Sequence, residues 1–334
     1  MKAVFFYLLL FISIGGIITY LAIDNNKYKN AYNDDVVEVY YDKELPQYDL
    51  KGYHKEHAVL GPDEEVNADF FHDNTISVLF VNDTDKEVIV AHNALKRIYP
   101  ASMTKLMTAI VVCEAIERGD FDLDQEVKWS NDIIFERYPD AMHSGFEKGY
   151  SISLRNLLYG YLMCSYNDFG VKLGELVAGS ESEFCKLMNE KAYQIGATNC
   201  HFVNTHGLHD NDHYITAYDM YLIINEASKH QLITEIDSHN TYPFFFKNAK
   251  GEQEISDIYP TNGFLNGWRN IPEGVSIHEW KTGTTGMAGY CLAMNLTIKE
   301  KEYTIVVTDK VSSSDLYETI EYLISLIKYY YEDY

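Results

Sequence analysis

The chain has 334 residues, with 27 Lys or Arg against 50 Asp or Glu, for a formal net charge of −23. That balance excludes a nucleic-acid binder, which neutralises phosphates with clustered Lys and Arg, and argues against adhesion to anionic lipid through a basic patch. The length suits one large domain or two small ones, and 14% aromatic residues with only 7 Pro exclude a mainly disordered or collagen-like chain.

The chain opens on Met1-Lys2 and an uncharged, mainly apolar run from Ala3 to Ile23. A secretory h-region usually has about 7–15 residues and a membrane span about 20, so this run is long enough to cross. Ser13-Ile14-Gly15 offers a small-x-small cleavage site, but the apolar run continues past it. An uncleaved anchor is therefore favoured over a cleaved secretory signal, with Lys2 kept in the cytosol and the acidic remainder exported. A buried core helix is disfavoured, because nothing polar gives the segment a second face. Residues 24–73 carry 13 acidic against 5 basic residues without sustained periodicity, and read as an acidic tether.

A single domain is expected over 74–334. Ile76 to Val81 and Lys86 to Ala91 flank the turn signal Asn82-Asp83-Thr84-Asp85, which makes a β-hairpin. Pro100 and Gly119-Asp120 delimit a helix whose residues 103–113 are apolar almost all round, the mark of a central, buried helix. Residues 121–200 read as mostly helical, most clearly over 154–163. Tyr290–Ile298 and Tyr303–Thr308 are strands, and Asp315 caps a last helix with Glu318 as its capping-box partner. Strands at both ends and helices between predict an α+β sandwich, with one antiparallel sheet assembled from the N- and C-terminal segments.

Ser102-Met103-Thr104-Lys105 stands at the start of the buried helix, and the i, i+3 spacing puts both side chains on one face. A serine hydroxyl needs a neighbour to take its proton, and a lysine can do so if burial or a nearby cation lowers its pKa. The helix N-terminus adds N–H groups and a positive dipole end for an oxyanion. Alone, S-x-x-K is a weak signal, since a capping Ser and a surface Lys produce it by chance. Ser165-Tyr166-Asn167 after an apolar helix and Lys281-Thr282-Gly283-Thr284 in a strand change that. Gly283 would let a substrate backbone lie close along the strand.

S-x-x-K, S-x-N and K-T-G in this order resemble the serine penicillin-recognising enzymes. From about 76 to 330 the chain resembles the low-molecular-weight penicillin-binding proteins, the serine-type D-alanyl-D-alanine carboxypeptidases. The further stretches are Pro100–Ala109, Asn167-Asp168, Leu187–Ala192, Asn204–Leu208, Thr216–Met220, Lys281–Thr285 and Ala288–Tyr290. The resemblance implies the serine β-lactamase/DD-peptidase-like sandwich, with helices on both faces of its sheet and a helical subdomain. It also implies removal of the terminal D-Ala of peptidoglycan stem peptides through an acyl-enzyme, on the outer face of the bacterial membrane, and acylation by β-lactams. Carried over residue by residue, Ser102 is the nucleophile, Lys105 the general base and Ser165 a proton relay to the leaving amine. Asn167 bonds the substrate amide, Lys281 supplies positive charge, and Thr282 and Thr284 bind the terminal carboxylate. The N–H groups of Ser102 and Thr284 form the oxyanion hole, and no metal or cofactor is implied.

The chain departs from the family pattern at Tyr166 and Phe169, where small residues are usual, and it has no Arg after Arg269 to hold the carboxylate. Lys310 could stand in as a point charge without the bidentate fork. Some relatives add an all-β domain, which is not expected here because the chain ends with the last helix. A class A β-lactamase would need E-x-x-L-N, whereas Leu265-Asn266 follows Asn262. A D,D-endopeptidase on cross-links stays open, as does a non-turnover penicillin or muropeptide sensor, which would need a signalling domain beyond Met1-Lys2.

Other motifs read blandly. His206 to His213 is rich in ligand types but lacks H-E-x-x-H or an EF-hand pattern. The five Cys (Cys113, Cys164, Cys185, Cys200 and Cys291) are odd in number and lack C-x-x-C, so they frame neither a disulfide scaffold nor a zinc site. Cys164 beside Ser165 reads as an inert thiol, and a Cys185–Cys200 pair is disfavoured. Tyr329-Tyr330-Tyr331 reads as helix-end packing.

Overall fold

Hairpin β1 (Val78–Asn82) and β2 (Glu87–His92) forms where the sequence places it in this computed structural model, which describes residues 56–331 apart from 62, 63, 72, 74, 131, 132, 134, 136, 137 and 140. The Asn82 side chain closes its turn, accepting from Asp85 N at 3.0 Å and donating to the Asp85 carboxylate at 2.7 Å. Three long strands close the chain: β7 (Val275–Thr285), β8 (Gly289–Ile298) and β9 (Lys301–Lys310). They join the hairpin in an antiparallel sheet of order β2-β1-β9-β8-β7, with Val78 opposite Val307. Both ends of the domain thus share one sheet, as the strand pattern predicts, and β7 lies at its edge.

Both faces of the sheet are buried, so its strands read as nearly unbroken apolar runs. Alternate residues still serve different cores. Val78, Phe80, Trp280, Leu292, Met294, Ile305 and Val307 pack toward α7 (Ser313–Tyr331) and its stripe of Leu316, Ile320, Leu323 and Ile327. Leu79, Val81, Ala293 and Val306 belong to the larger core around α1 (Thr104–Glu117). Eleven of the fourteen α1 residues are buried, so the helix has no wet face.

The helices α2 (Leu154–Met163), α3 (Asn167–Ala178) and α4 (Glu181–Gln194) follow, then α5 (Ala217–Ala227) and α6 (Gln231–Asp237). Ser153, Ser180 and the Thr216/Asp219 capping box satisfy the first N–H groups of α2, α4 and α5. Phe169 of α3 is fully buried among Trp129, Phe146 and Phe244. Gly160 makes room for it: a Cβ at 160 would lie 2.6 Å from the Phe169 ring.

The structure corrects three expectations. Residues 121–200 are not mostly helical at their start, because β3 (Glu126–Lys128) and β4 (Ser151–Ser153) join β5 (Tyr242–Lys247) and β6 (Gln253–Ile258) in a second sheet. Strands of three residues are too short to display an alternation. The cap of α7 is Ser312, whose Oγ accepts from Asp315 N at 3.1 Å. Asp315 instead pairs with Lys310 at 3.1 Å, and Glu318 accepts from Ser314 Oγ at 2.8 Å. The packed domain also begins before residue 74. Ala58 is buried, bonds the Tyr221 and Tyr218 hydroxyls, and Val66 bridges Ala91. These few apolar residues fit separate sites on the domain, so no periodicity announces them.

Residues 1–23 and the tether up to residue 55 lie outside the described residues. Among the described residues no helix is long and apolar enough to cross a membrane. The side chains of Tyr329, Tyr330 and Tyr331 are likewise outside the description.

Candidate active site

Pro100 leads into a 3₁₀ turn, Ala101–Met103, that runs directly into α1. Ala101, Met103 and Thr104 are buried, while Ser102 between them keeps partial exposure. One turn on, the fully buried Lys105 reaches back along the same face, with Nζ 3.0 Å from Ser102 Oγ. It donates to Asn167 Oδ1 at 2.6 Å and to the His206 carbonyl at 2.8 Å. Burial holds its amine well below the usual lysine range, the Lys281 charge adds to that, and Asp168 opposes it.

The second motif lies between α2 and α3. Cys164 ends α2, and Ser165 turns the chain with a positive φ of 63°. Ser165 is buried, and its Oγ meets no hydrogen-bond partner among the described residues. Asn167 begins α3, and its N–H donates to the Met142 carbonyl at 2.9 Å. Asp168 accepts from Ser144 N at 2.9 Å and from the Ser144 hydroxyl, which ties residues 142–144 beside the motif. Tyr166 is half-buried with its ring edge-on to Phe169 at 5.3 Å, so the departure at 166 accompanies the one at 169 as packing.

The third motif lies on β7. Lys281 is buried and faces the α1 side, with Nζ 5.6 Å from the Trp280 ring centroid. Burial brings its amine down to about 8, against the pull of Asp237. Asp237, at the end of α6, accepts from Trp280 N at 3.0 Å, and burial pushes its carboxyl well up. Thr282 pairs with the Thr261 hydroxyl at 2.6 Å, and Thr284 is exposed opposite Tyr290. Gly283 has a reason the sequence alone does not reveal. A Cβ there would meet Ala101 Cβ and Pro100 O at 3.0 Å and Ser102 N at 3.1 Å. The missing side chain lets the strand press against the serine turn.

Lys310 stands opposite Tyr290, and Tyr290 opposite Thr284, so Lys310 is two strands from Thr284, about 10 Å in a regular sheet. The structure thus assembles Ser102, Lys105, Asn167, Lys281 and Gly283 around one point, with Ser165 on the adjoining turn and Thr282 between Lys281 and Gly283 on β7.

Sequence reasoning missed His206, Asp237 and Thr261. His206 contributes a backbone carbonyl, which has no side-chain signature. The signal was the Asn204–Leu208 stretch, held by Thr108, Tyr161 and Glu181 through bonds to Thr205. The His206 ring accepts from Leu208 N at 3.1 Å and takes the Phe135 ring edge-on. Asn262, in the stretch tested for a deacylating Glu, is buried and accepts from Phe264 N.

All five Cys are free. Among the described residues, Glu114, Glu226 and His230 come within metal-ligand reach of one another. The Lys191 ammonium already bridges the two carboxylates, at 2.7 and 2.5 Å.

With this geometry in place, the comparisons are specific. The model of the peptidase S11 family, D-alanyl-D-alanine carboxypeptidase, matches residues 66–312, and the chain belongs to that family. It is 32% identical over 238 residues to the D-alanyl-D-alanine carboxypeptidase DacF of Bacillus subtilis, covering 70% of this chain and 57% of that protein. It is 27% identical to a D-alanyl-D-alanine endopeptidase of Pseudomonas aeruginosa, covering 70% of each. The chain spans about half the length of several curated relatives it matches. Among solved structures, penicillin-binding protein D2 of Listeria monocytogenes in its cefotaxime-bound form superposes with a TM-score of 0.62. That match has 24% identity and covers 79% of this chain and 98% of that one. The fold is therefore the DD-peptidase sandwich expected from the motifs.

Proposed function

We propose that the protein is a serine D,D-carboxypeptidase that releases the terminal D-Ala of peptidoglycan stem peptides through a Ser102 acyl-enzyme. The observation that carries this reading is the set of contacts around Lys105. Asn167 Oδ1 and the His206 carbonyl can only accept. A neutral Lys105 spends both N–H bonds on them, which leaves its lone pair for the Ser102 hydroxyl, 3.0 Å away. Burial and Lys281 favour that neutral form.

In this mechanism Ser102 Oγ attacks the carbonyl carbon of the penultimate D-Ala as its proton passes to Lys105. The oxyanion is met by the N–H groups of Ser102 and Thr284, each such donor being worth about 10²–10³ in rate. The C–N bond breaks as the proton taken up by Lys105 passes through Ser165, whose buried hydroxyl has no partner among the described residues, to the departing amine. Water then cleaves the ester, with Lys105 again as base. Lys281, Thr282 and Thr284 take the terminal carboxylate, Asn167 the substrate amide, and the outer edge of β7 the peptide backbone. Lys310 is the nearest replacement for the missing Arg once it parts from Asp315. β-Lactams acylate the same oxygen. The Ala3–Ile23 run anchors the domain to the outer face of the membrane, with a cleaved, secreted form as the alternative.

Endopeptidase action on cross-links is the second reading, supported by the resemblance to the Pseudomonas enzyme. Incubation with labelled penicillin, a D-Ala-D-Ala pentapeptide and a cross-linked dimer tests both. Wild type should form an adduct that Ser102→Ala abolishes. D-Ala release from the pentapeptide supports the carboxypeptidase, cleavage of the dimer alone supports the endopeptidase, and lack of any adduct sinks both.

A further inference from the structure

We infer that His213, acting through Thr104, is a positioning residue for Ser102, clamping the peptide unit that precedes the nucleophile. This deepens the acyl-transfer reading above and rests on it.

Ala101 holds a φ of 47°, a left-handed conformation that costs a non-glycine residue about 1–2 kcal/mol. Such strain persists only where the surroundings over-determine it. Here the Ala101 carbonyl accepts both the Thr104 N–H and the Thr104 hydroxyl, the latter at 2.8 Å. Having given its proton away, Thr104 Oγ1 can only accept from His213 Nε2, which lies 2.8 Å off. His213 Nδ1 accepts from Val203 N at 3.1 Å, so the ring proton sits on Nε2. Each atom has one role in a directed chain from Val203 N–H through the imidazole and the threonine to Ala101 O.

Ala101, Thr104 and His213 are all buried. Burial, helped by His201, brings the imidazole down to about 3, so it stays neutral and keeps Nδ1 as an acceptor. The opposite side of the carbonyl is closed as well: a Cβ on Gly207 would lie 1.8 Å from Ala101 O. The Ala101–Ser102 peptide is planar, so fixing its oxygen fixes the direction of the Ser102 N–H. One clamp therefore aims the nucleophile's turn and one oxyanion donor.

The test uses Thr104→Val, which keeps the shape and removes the hydroxyl, Thr104→Ser, which restores it, and His213→Gln. Acylation by labelled penicillin is separated into noncovalent affinity and the first-order step, with melting temperature as the control for folding. Thr104→Val should slow the first-order step about 10- to 100-fold with affinity within about twofold, and Thr104→Ser should recover most of the rate. A folded Thr104→Val protein that acylates at the wild-type rate, or a Thr104→Ser protein as slow as it, overturns the clamp. If Thr104→Val does not fold, His213→Gln is judged by the same split. If wild type itself is not acylated, the acyl-transfer reading fails. The clamp is then decided by hydrogen exchange at the 102–105 amides: faster exchange in the variants supports it, and unchanged exchange overturns it.

Discussion

On the α7 side of the five-stranded sheet the core is apolar, with Phe80, Trp280, Leu292, Ile305, Ile320 and Leu323 meeting like side chains. On the α1 side the same strands bury Lys281, and the helices and loop behind bury Lys105, Asn167, His206 and His213. Both cores exclude water, but the α1 side asks more polar groups, two lysines among them, to give up hydration. That loss is tolerable when each group finds partners, as Lys105 does with three. One face holds the fold, and the other holds the candidate site at a cost in stability.

The sharpest break of this contrast is Lys105→Met. It fills similar space but removes the proposed base, and should slow penicillin acylation about 10²–10⁴-fold by stopped-flow. Retention of the wild-type rate would mean that Ser102 is activated by some other group. Next in size is Ile320→Ala in the apolar core, which should cost about 2–5 kcal/mol in denaturant unfolding. The folded fraction should still acylate at the wild-type rate, and a slower rate would show the two faces to be coupled.

The third prediction concerns pH. Folded Lys281 loses its proton above about 8, whereas the unfolded chain holds it to 10.5. Between those values the unfolded state binds more protons, so Lys281 makes stability rise with pH, by at most about 1.4 kcal/mol per unit. Buried thiols such as Cys291, pushed up to about 12, act in the opposite direction. The observable is therefore the difference between wild type and Lys281→Met, which should climb over that window. A flat difference would mean that burial does not shift this lysine.

Much of this is legible in the sequence. The apolar runs of β1, β8 and β9 and the all-round apolar α1 placed the sheet and the central helix, because burial on both faces leaves an unmistakable pattern. Ser102, Lys105, Ser165, Asn167 and Lys281 were readable because the proposed acyl transfer constrains residue type and spacing together. The second sheet was not, since β3 and β4 have three residues each and five of the six β6 residues are exposed. The contribution of His206 was hidden because a carbonyl is common to every residue. Gly283 was visible, but its close contact is with Ala101, far off in sequence.

The smallest effect concerns the start of α7, where Ser312-Ser313-Ser314-Asp315 offers four residues of capping type in a row. A pattern search favours Asp315, because Glu318 follows at capping-box spacing. Backbone geometry selects Ser312, whose hydroxyl accepts from Asp315 N and whose carbonyl accepts from Leu316 N. Ser312→Ala should therefore cost about 1 kcal/mol, as loss of a cap does. Asp315→Ala removes only a half-exposed ion pair with Lys310 and a favourable charge in the first turn, together about 0.5–1 kcal/mol and screened by salt. Thermal melts at low and high salt separate the two. The Ser312→Ala loss should persist in salt and the Asp315→Ala loss should shrink. A reversed pattern would return the cap to Asp315 and shorten α7 by most of a turn. In either case acylation should not fall, since the helix packs on the face that carries no chemistry.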